Sequence, residues 1–318
     1  MADANVTGRL THHTDTPALT ALIRTFGVVW LFNAAWQGEA WLVSRSAARN
    51  LLHALAHPAA QAPSWLKPPL LAVLKGVTAT GPRPFAAVMV AIAILLGVAL
   101  LSGVALEATA GIGLIYSLIC WLVLNGMGFP YAHGQTDPGV FVAYAITFLF
   151  VLAAGSSLRA TRPEAIRRSD ALWNYARLAF ALLWLFDAAL KWLPAFLFHF
   201  TSQITGVISG QPHPVAIWLG FVAAVIGVIG PVTVAVLVAI AETVIALSLL
   251  TGRGLKVVLP LGILYSLSVW ATAEAFGGPY TAAGTGVRGN VLGNVIIYLL
   301  PFLFLWVRAR TSSLQPRP

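Results

Sequence analysis

Cysteine is almost missing from this chain: Cys120 is the single thiol in 318 residues. One thiol within an apolar stretch makes no internal disulfide, no Cys-x-x-Cys redox pair and no all-cysteine metal centre. Charge is scarce as well, at 9% of residues, against about 25% in an ordinary soluble domain. Acidic residues are the rarer sign, 10 against 19 Lys and Arg, giving a net charge of +9. No basic cluster interleaves with aromatics, so nucleic-acid binding is excluded and the excess is read through membrane topology. Flavin and nucleotide fingerprints, haem-attachment motifs and iron–sulfur cysteine sets are also missing. What is present is apolar: 58% hydrophobic residues and a mean hydropathy of +0.83. That composition belongs to polytopic membrane proteins.

Apolar runs of roughly 20 residues recur along the chain, the length that spans a bilayer as a helix. They predict an all-α fold of eight transmembrane helices near 18–43, 84–104, 109–128, 138–156, 173–196, 231–251, 256–276 and 290–308. The first span is longer than a signal-peptide core and resembles a later one, so it reads as a retained helix after a polar tail, 1–17.

The chain also resembles itself. Trp30-Leu31-Phe32-Asn33-Ala34-Ala35-Trp36-Gln37 returns as Trp184-Leu185-Phe186-Asp187-Ala188-Ala189-Leu190-Lys191. Gly81, Gly103, Gly113, Tyr116, Trp121, Gly128 and Pro130 recur at a constant offset of 149, as Gly230, Gly252, Gly262, Tyr265, Trp270, Gly277 and Pro279. The expected architecture is therefore two tandem four-helix bundles, 18–156 and 173–308, joined by a basic linker, 157–172, and followed by a tail, 309–318. An even number of spans per unit puts both the same way up, as parallel repeats. Arg159, Arg162, Arg167 and Arg168 between the units place that side, and both termini, in the cytoplasm, for an integral protein of the plasma (inner) membrane.

In the outer segment 45–80, Arg45, Arg49, His53 and His57 fall on one helical face. This fits an interfacial amphipathic helix, or a histidine pair sharing a metal or a haem edge, although no third ligand is near. The second unit's counterpart, 215–229, is far more apolar and reads as a short re-entrant segment.

Charge separates the repeats. An ion at mid-membrane costs at least about 2.5–3.5 kcal/mol, so it normally faces a partner or a wet cavity. Asp187 and Lys191 lie one turn apart, Glu242 stands where the first unit has Ala93 or Ile94, and Glu274 where it has Asn125. Asp187 and Lys191 either neutralise one another to hold a bundle together or, with the two glutamates, surround a functional pocket that one lysine leaves under-neutralised. The loop 277–286 is rich in glycine, as a lid or anion cradle or as a tight surface turn with an interfacial tyrosine. The first unit's loop carries His133 and Asp137 instead. No metal site is expected.

Arg177, the segment from Trp184 to Lys191, and Glu242 in a later apolar helix resemble the DoxX-like family of four-helix membrane proteins. The Gly277-Gly278-Pro279-Tyr280 loop, with Gly284-Thr285-Gly286 and Gly289-Asn290, resembles the DoxD subunit of thiosulfate:quinone oxidoreductase. The resemblance covers 173–308 well and 18–156 more weakly, with departures at Asn33, Gln37 and Ile94. It implies a membrane oxidoreductase or oxidoreductase subunit that passes electrons from thiosulfate or another sulfur compound to quinone, in the lipid bilayer and with a redox partner subunit. Asp187, Lys191, Glu242 and Glu274 would be the catalytic set, and Arg177, Tyr280, Thr285 and Arg288 the substrate-binding set. A proton-coupled transporter or exporter, or a non-catalytic anchor for soluble redox partners, are the alternatives.

Overall fold

A computed structural model describes residues 16–129, 136–278, 280 and 292–313, and among them all regular structure is helical. His133, Thr285 and Arg288 lie outside the described residues. The first half contains α1 (Thr16–Gly38), which runs on through a π-helical stretch to Val43, then α2 (Ala47–Gln61), α3 (Lys67–Thr80), α4 (Pro82–Ser102), α5 (Leu106–Asn125) and α6 (Val140–Arg159). The second contains α7 (Pro163–Lys191), two short helices α8 (Pro194–Leu197) and α9 (Phe200–Thr205), then α10 (His213–Ile229), α11 (Pro231–Thr251), α12 (Leu255–Ala271) and α13 (Val295–Ser313). Five segments are long and apolar enough to cross a membrane: Thr16–Val43, Pro82–Ser102, Leu106–Gly128, Val140–Arg159 and Pro231–Thr251. Helices α10 and α12 are apolar too, but shorter. Large side chains such as Leu95, Ile115, Leu237 and Val228 are exposed along these helices, an apolar surface that suits hydrocarbon rather than water.

Local chemistry sets several boundaries. Helices α4 and α11 each begin with Gly-Pro: Gly81 and Gly230 take φ of 94° and 103°, and the proline follows at the first helical position, where it has no N–H bond to lose. Each ends on a left-handed glycine, Gly103 or Gly252, at φ 71°. The 21 residues between give a rod about 30 Å long, the thickness of a bilayer core.

Elsewhere the boundaries differ from the expectation. The stretch 157–172 is helical at both ends, because α6 runs to Arg159 and α7 starts at Pro163. Arginine ends an apolar run but is a good helix former, so hydropathy and helix part company there. Helix α7 stops at Lys191, not near 196, because Pro194 cannot continue it. The segment 45–80 forms two helices; α2 buries Leu51 and Leu55 and exposes His53 and His57. The apolar 215–229 segment is a full helix, α10. Glu274 lies beyond the end of α12, in a turn where Phe276 takes φ 58°.

In the first half α1 packs on α4 and α5 on α6; in the second α7 packs on α11 and α12 on α13. Helix α6 sits centrally against α5, α7 and α13, and 72% of its apolar window is buried where α1, α5 and α11 bury 33%. At that seam Phe150 of α6 stacks on Phe304 of α13, centroids 6.0 Å apart.

Candidate functional site

Helix α7 carries Asp187 and Lys191 on its inward face, 4% and 6% exposed, opposite Glu242 of α11, 4% exposed. The lysine reaches across to α11 rather than back along its own helix: Lys191 Nζ is 3.4 Å from Glu242 Oε2. It also donates to the carbonyl oxygen of Thr136 at 2.8 Å and lies 5.2 Å from the centre of the Phe196 ring. Three partners of different kinds hold one ammonium group, as its removal from water requires. Tyr265 of α12 donates to Glu242 Oε1 at 2.5 Å. Tyr298 of α13 stands close to the Asp187 carboxylate, but its hydroxyl, Asp187 Oδ1 and Trp184 Nε1 are buried with no partner in hydrogen-bonding geometry.

These groups form one end of a cavity of about 810 Å³. Its walls are apolar: Phe196, Phe200 and Ile204 on one side, Phe221, Val222, Val225 and Ile226 of α10 on another, Val234 and Val238 of α11 on a third. Four carboxyl groups line it, from Asp137, Asp187, Glu242 and Glu274, and Lys191 is the one cation among the described lining residues. The polar end suits hydrogen bonding and proton exchange with a ligand's head, and the walls suit its hydrocarbon.

Two of these positions come from the first half. Thr136 and Asp137, in the loop before α6, line the second half's cavity. Asp137 Oδ1 accepts from the Gly139 N–H at 2.7 Å. Burial pushes its carboxyl pKa up, while that N–H and the Lys191 charge pull it down. Nothing along the chain signals that this loop reaches across, since no motif links it to α7. Tyr265 and Tyr298 were missed as polar partners too, although Tyr265 belongs to the repeated pattern.

Of the expected residues, Asp187, Lys191, Glu242 and Glu274 line the one cavity. Glu274 also caps α13: its Oε1 accepts from the backbone N–H groups of Asn294 and Val295 at 2.9 and 3.0 Å. Burial raises its pKa to about 7, opposed by those N–H groups and helped by the nearby Asp137. Arg177 does not line the cavity. Its guanidinium donates to the carbonyl oxygens of Leu249 and Leu250 at the C-terminus of α11, and to Asn174 Oδ1. There it satisfies carbonyls that a helix end leaves open. Tyr280 is not in the lining either and donates to the Phe276 carbonyl oxygen. Among the described residues no group of three His, Cys, Asp or Glu is arranged to hold a metal. His53 and His57 are ring neighbours, 5.9 Å between centroids, without a third ligand.

Comparison with known proteins gives no significant match to this chain among protein-family models, curated proteins or solved structures.

Proposed function

We propose that the chain is a membrane oxidoreductase, or the membrane subunit of one, whose second half binds a quinone with its ring against Asp187, Lys191 and Glu242. In this reading α1, α4, α5, α6, α7, α11, α12 and α13 are the eight spans of two parallel four-helix units, both termini are cytoplasmic, and the first unit is a scaffold. The observation that carries the reading is the cavity itself: an apolar chamber of about 810 Å³ ending in a cluster of carboxyls, one lysine and unpartnered polar atoms. A quinone ring offers two carbonyl acceptors, and the lining residues Lys191, Trp184 and Tyr298 each carry an N–H or O–H donor, so the residues present fit the group. Bound quinone supplies the electron acceptor, which takes up two electrons and two protons on reduction. Asp187 and Glu242 would hold and pass those protons, and Lys191 would offset the negative charge that gathers at the ring. The electron donor, in line with the resemblance to DoxD, is thiosulfate or another sulfur compound, delivered directly or through a partner subunit.

Membranes containing the protein should reduce a water-soluble quinone analogue when given thiosulfate, and Asp187→Asn should cut that rate by about 10²-fold or more, as loss of a proton-transfer group does. Failure with thiosulfate, sulfite and sulfide alike would remove the reading. Proton-coupled transport is the second reading, favoured by the excess of carboxyls over cations in the cavity. Substrate flux in proteoliposomes without redox turnover would select it.

A further inference from the structure

The wall between α10 and α12 is built from residues that face two ways. Phe221 and Val225 of α10 and Leu264 and Leu267 of α12 all line the cavity. They are also exposed at the molecular surface, by 60%, 39%, 60% and 36%. Exposure this large at chamber-lining positions is what an opening through that wall would produce. Helix α10 packs on α9 and α11 and reaches α12 at one end, where Trp218 Nε1 donates to the Ala271 carbonyl oxygen at 2.8 Å. Away from that tie the two helices flank a slot. Val234, Val238 and Glu242 also line the chamber, at four-residue steps along α11, with Tyr265 beside Glu242, so polarity rises along that face. In the first half α2 packs on both α4 and α5, and Ala59, Ala62, Leu66 and Leu70 form a buried cluster with Leu122 and Met127.

We infer that the slot between α10 and α12 is a side door to the hydrocarbon, and that the ligand is an amphiphile with a single long apolar chain lying in it while the polar head meets Lys191, Asp187 and Glu242. Both flanking helices are apolar along most of their 17 residues, and the rim side chains Phe221, Val225, Leu264 and Leu267 carry no polar group, so the rim suits lipid tails. A ligand arriving there loses no hydration from its chain and exchanges one apolar neighbour for another. Its head, by contrast, leaves hydrocarbon for hydrogen-bond partners, which supplies the inward drive. Water-soluble ions would find no polar path through this wall. The inference deepens the quinone reading for ring-bearing ligands, but the side door itself stands for any lipid of that shape.

Two measurements separate the claims. The full-length protein in lipid nanodiscs containing a fatty acid with a terminal diazirine is irradiated and mapped by peptide mass spectrometry. Labelled peptides should include the interior positions Val238 and Phe200 as well as outward-facing ones such as Val228. Labelling confined to outward-facing positions overturns the side door, whatever any quinone does. In the second measurement, affinities of a decyl-chain benzoquinone and its chainless head are compared in the same nanodiscs. Val225→Trp, at the rim, should weaken the decyl form by about tenfold relative to the chainless one. Val228→Trp, on the same helix but 89% exposed and outside the lining, should keep the native ratio. Equal weakening of both ligands by Val225→Trp overturns the assignment of the chain to the slot. Failure of the unaltered protein to bind either quinone removes the quinone reading and leaves the photolabelling result to decide the side door.

Discussion

The two halves of this molecule share a packing scheme and differ in what they enclose. In the first, Phe26, Trp30, Tyr144 and Phe148 form an aromatic box between α1 and α6; in the second, Phe180, Trp184, Tyr298 and Phe302 form the same box between α7 and α13. The Phe26–Phe148 and Phe180–Phe302 centroids are both 4.9 Å apart. Trp30 meets Tyr116 at 6.0 Å, and Trp184 meets Tyr265 at 5.7 Å. Even the rare conformations coincide: Met127 and Phe276, neither a glycine, take φ of 57° and 58°, which sterics make uncommon. Inside the matched frames the chemistry diverges. Asn33, Gln37, Ala93 and Asn125 in the first half become Asp187, Lys191, Glu242 and Glu274 in the second. In the first half α2 packs against both α4 and α5; the second has a cavity beside α10. The frame holds whether or not it encloses charge, so the charge is not there to hold the frame.

The sharpest way to break this comparison is to convert one half into the other. Lys191→Gln installs the first half's residue and leaves Glu242 buried without its cation. Stripping one partner from a buried pair costs about 3–5 kcal/mol, so a large drop in thermal midpoint is expected in detergent or nanodiscs. Adding Glu242→Ala, the first half's residue at that position, should restore most of the loss. A double variant as unstable as the single one would show that Lys191 serves the frame through Thr136 and Phe196 rather than through the pair.

The next test asks whether the boxes are equally tight. A Cβ on Gly113 would lie 2.2 Å from the Phe148 ring, and one on Gly262 would lie 2.3 Å from the Phe302 ring. Both rings are fully buried, so Gly113→Ala and Gly262→Ala should each destabilise by about 1–3 kcal/mol. Unequal effects would mean that the cavity lets the second box yield. A finer contrast lies in the tryptophans. Trp30 Nε1 donates to the Ala93 carbonyl oxygen at 2.8 Å, whereas Trp184 Nε1 has no partner. With similar packing lost in both, Trp30→Phe should cost about 1 kcal/mol more than Trp184→Phe in equilibrium unfolding. The reverse order would mean that Trp184 gains a partner in the membrane.

Much of this was legible before any coordinates, and the reason is local. The repeats, the Gly-Pro starts of α4 and α11 and their glycine stops are written in short stretches, and short-range sterics enforce them. The grouping of Asp187, Lys191 and Glu242 was readable because buried ions in apolar helices need company. The reach of Thr136 and Asp137 into the other half was not, since it depends on how α6 docks against α7 across the seam. Nor was the place of Arg177: the resemblance implies a substrate-binding role, while the structure turns it to the end of a neighbouring helix. Hydropathy misplaced the start of α7 because charged and apolar residues can share one helix, and the end of α12 because an apolar stretch can also run on into a turn, as it does up to Phe276.

Glu274 offers the narrowest comparison, because Asn125, its counterpart, carries no charge at any pH. Two influences compete at its carboxyl. Burial and the nearby Asp137 favour the neutral form, and the N–H groups of Asn294 and Val295 favour the anion; burial prevails, leaving the pKa at about 7, up from 4.5. A folded-state pKa above the unfolded one means that the native protein holds the proton more tightly. The resulting stabilisation is complete below pH 4.5 and fades as pH rises through about 7. The thermal midpoint should therefore decline from pH 5 to 8, and Glu274→Gln, which keeps an oxygen for the α13 cap but cannot ionise, should flatten the decline. An unchanged pH profile in that variant would assign the titration to Asp137 instead, the other carboxyl that burial has raised outside the spans, and Asp137→Asn would then remove it.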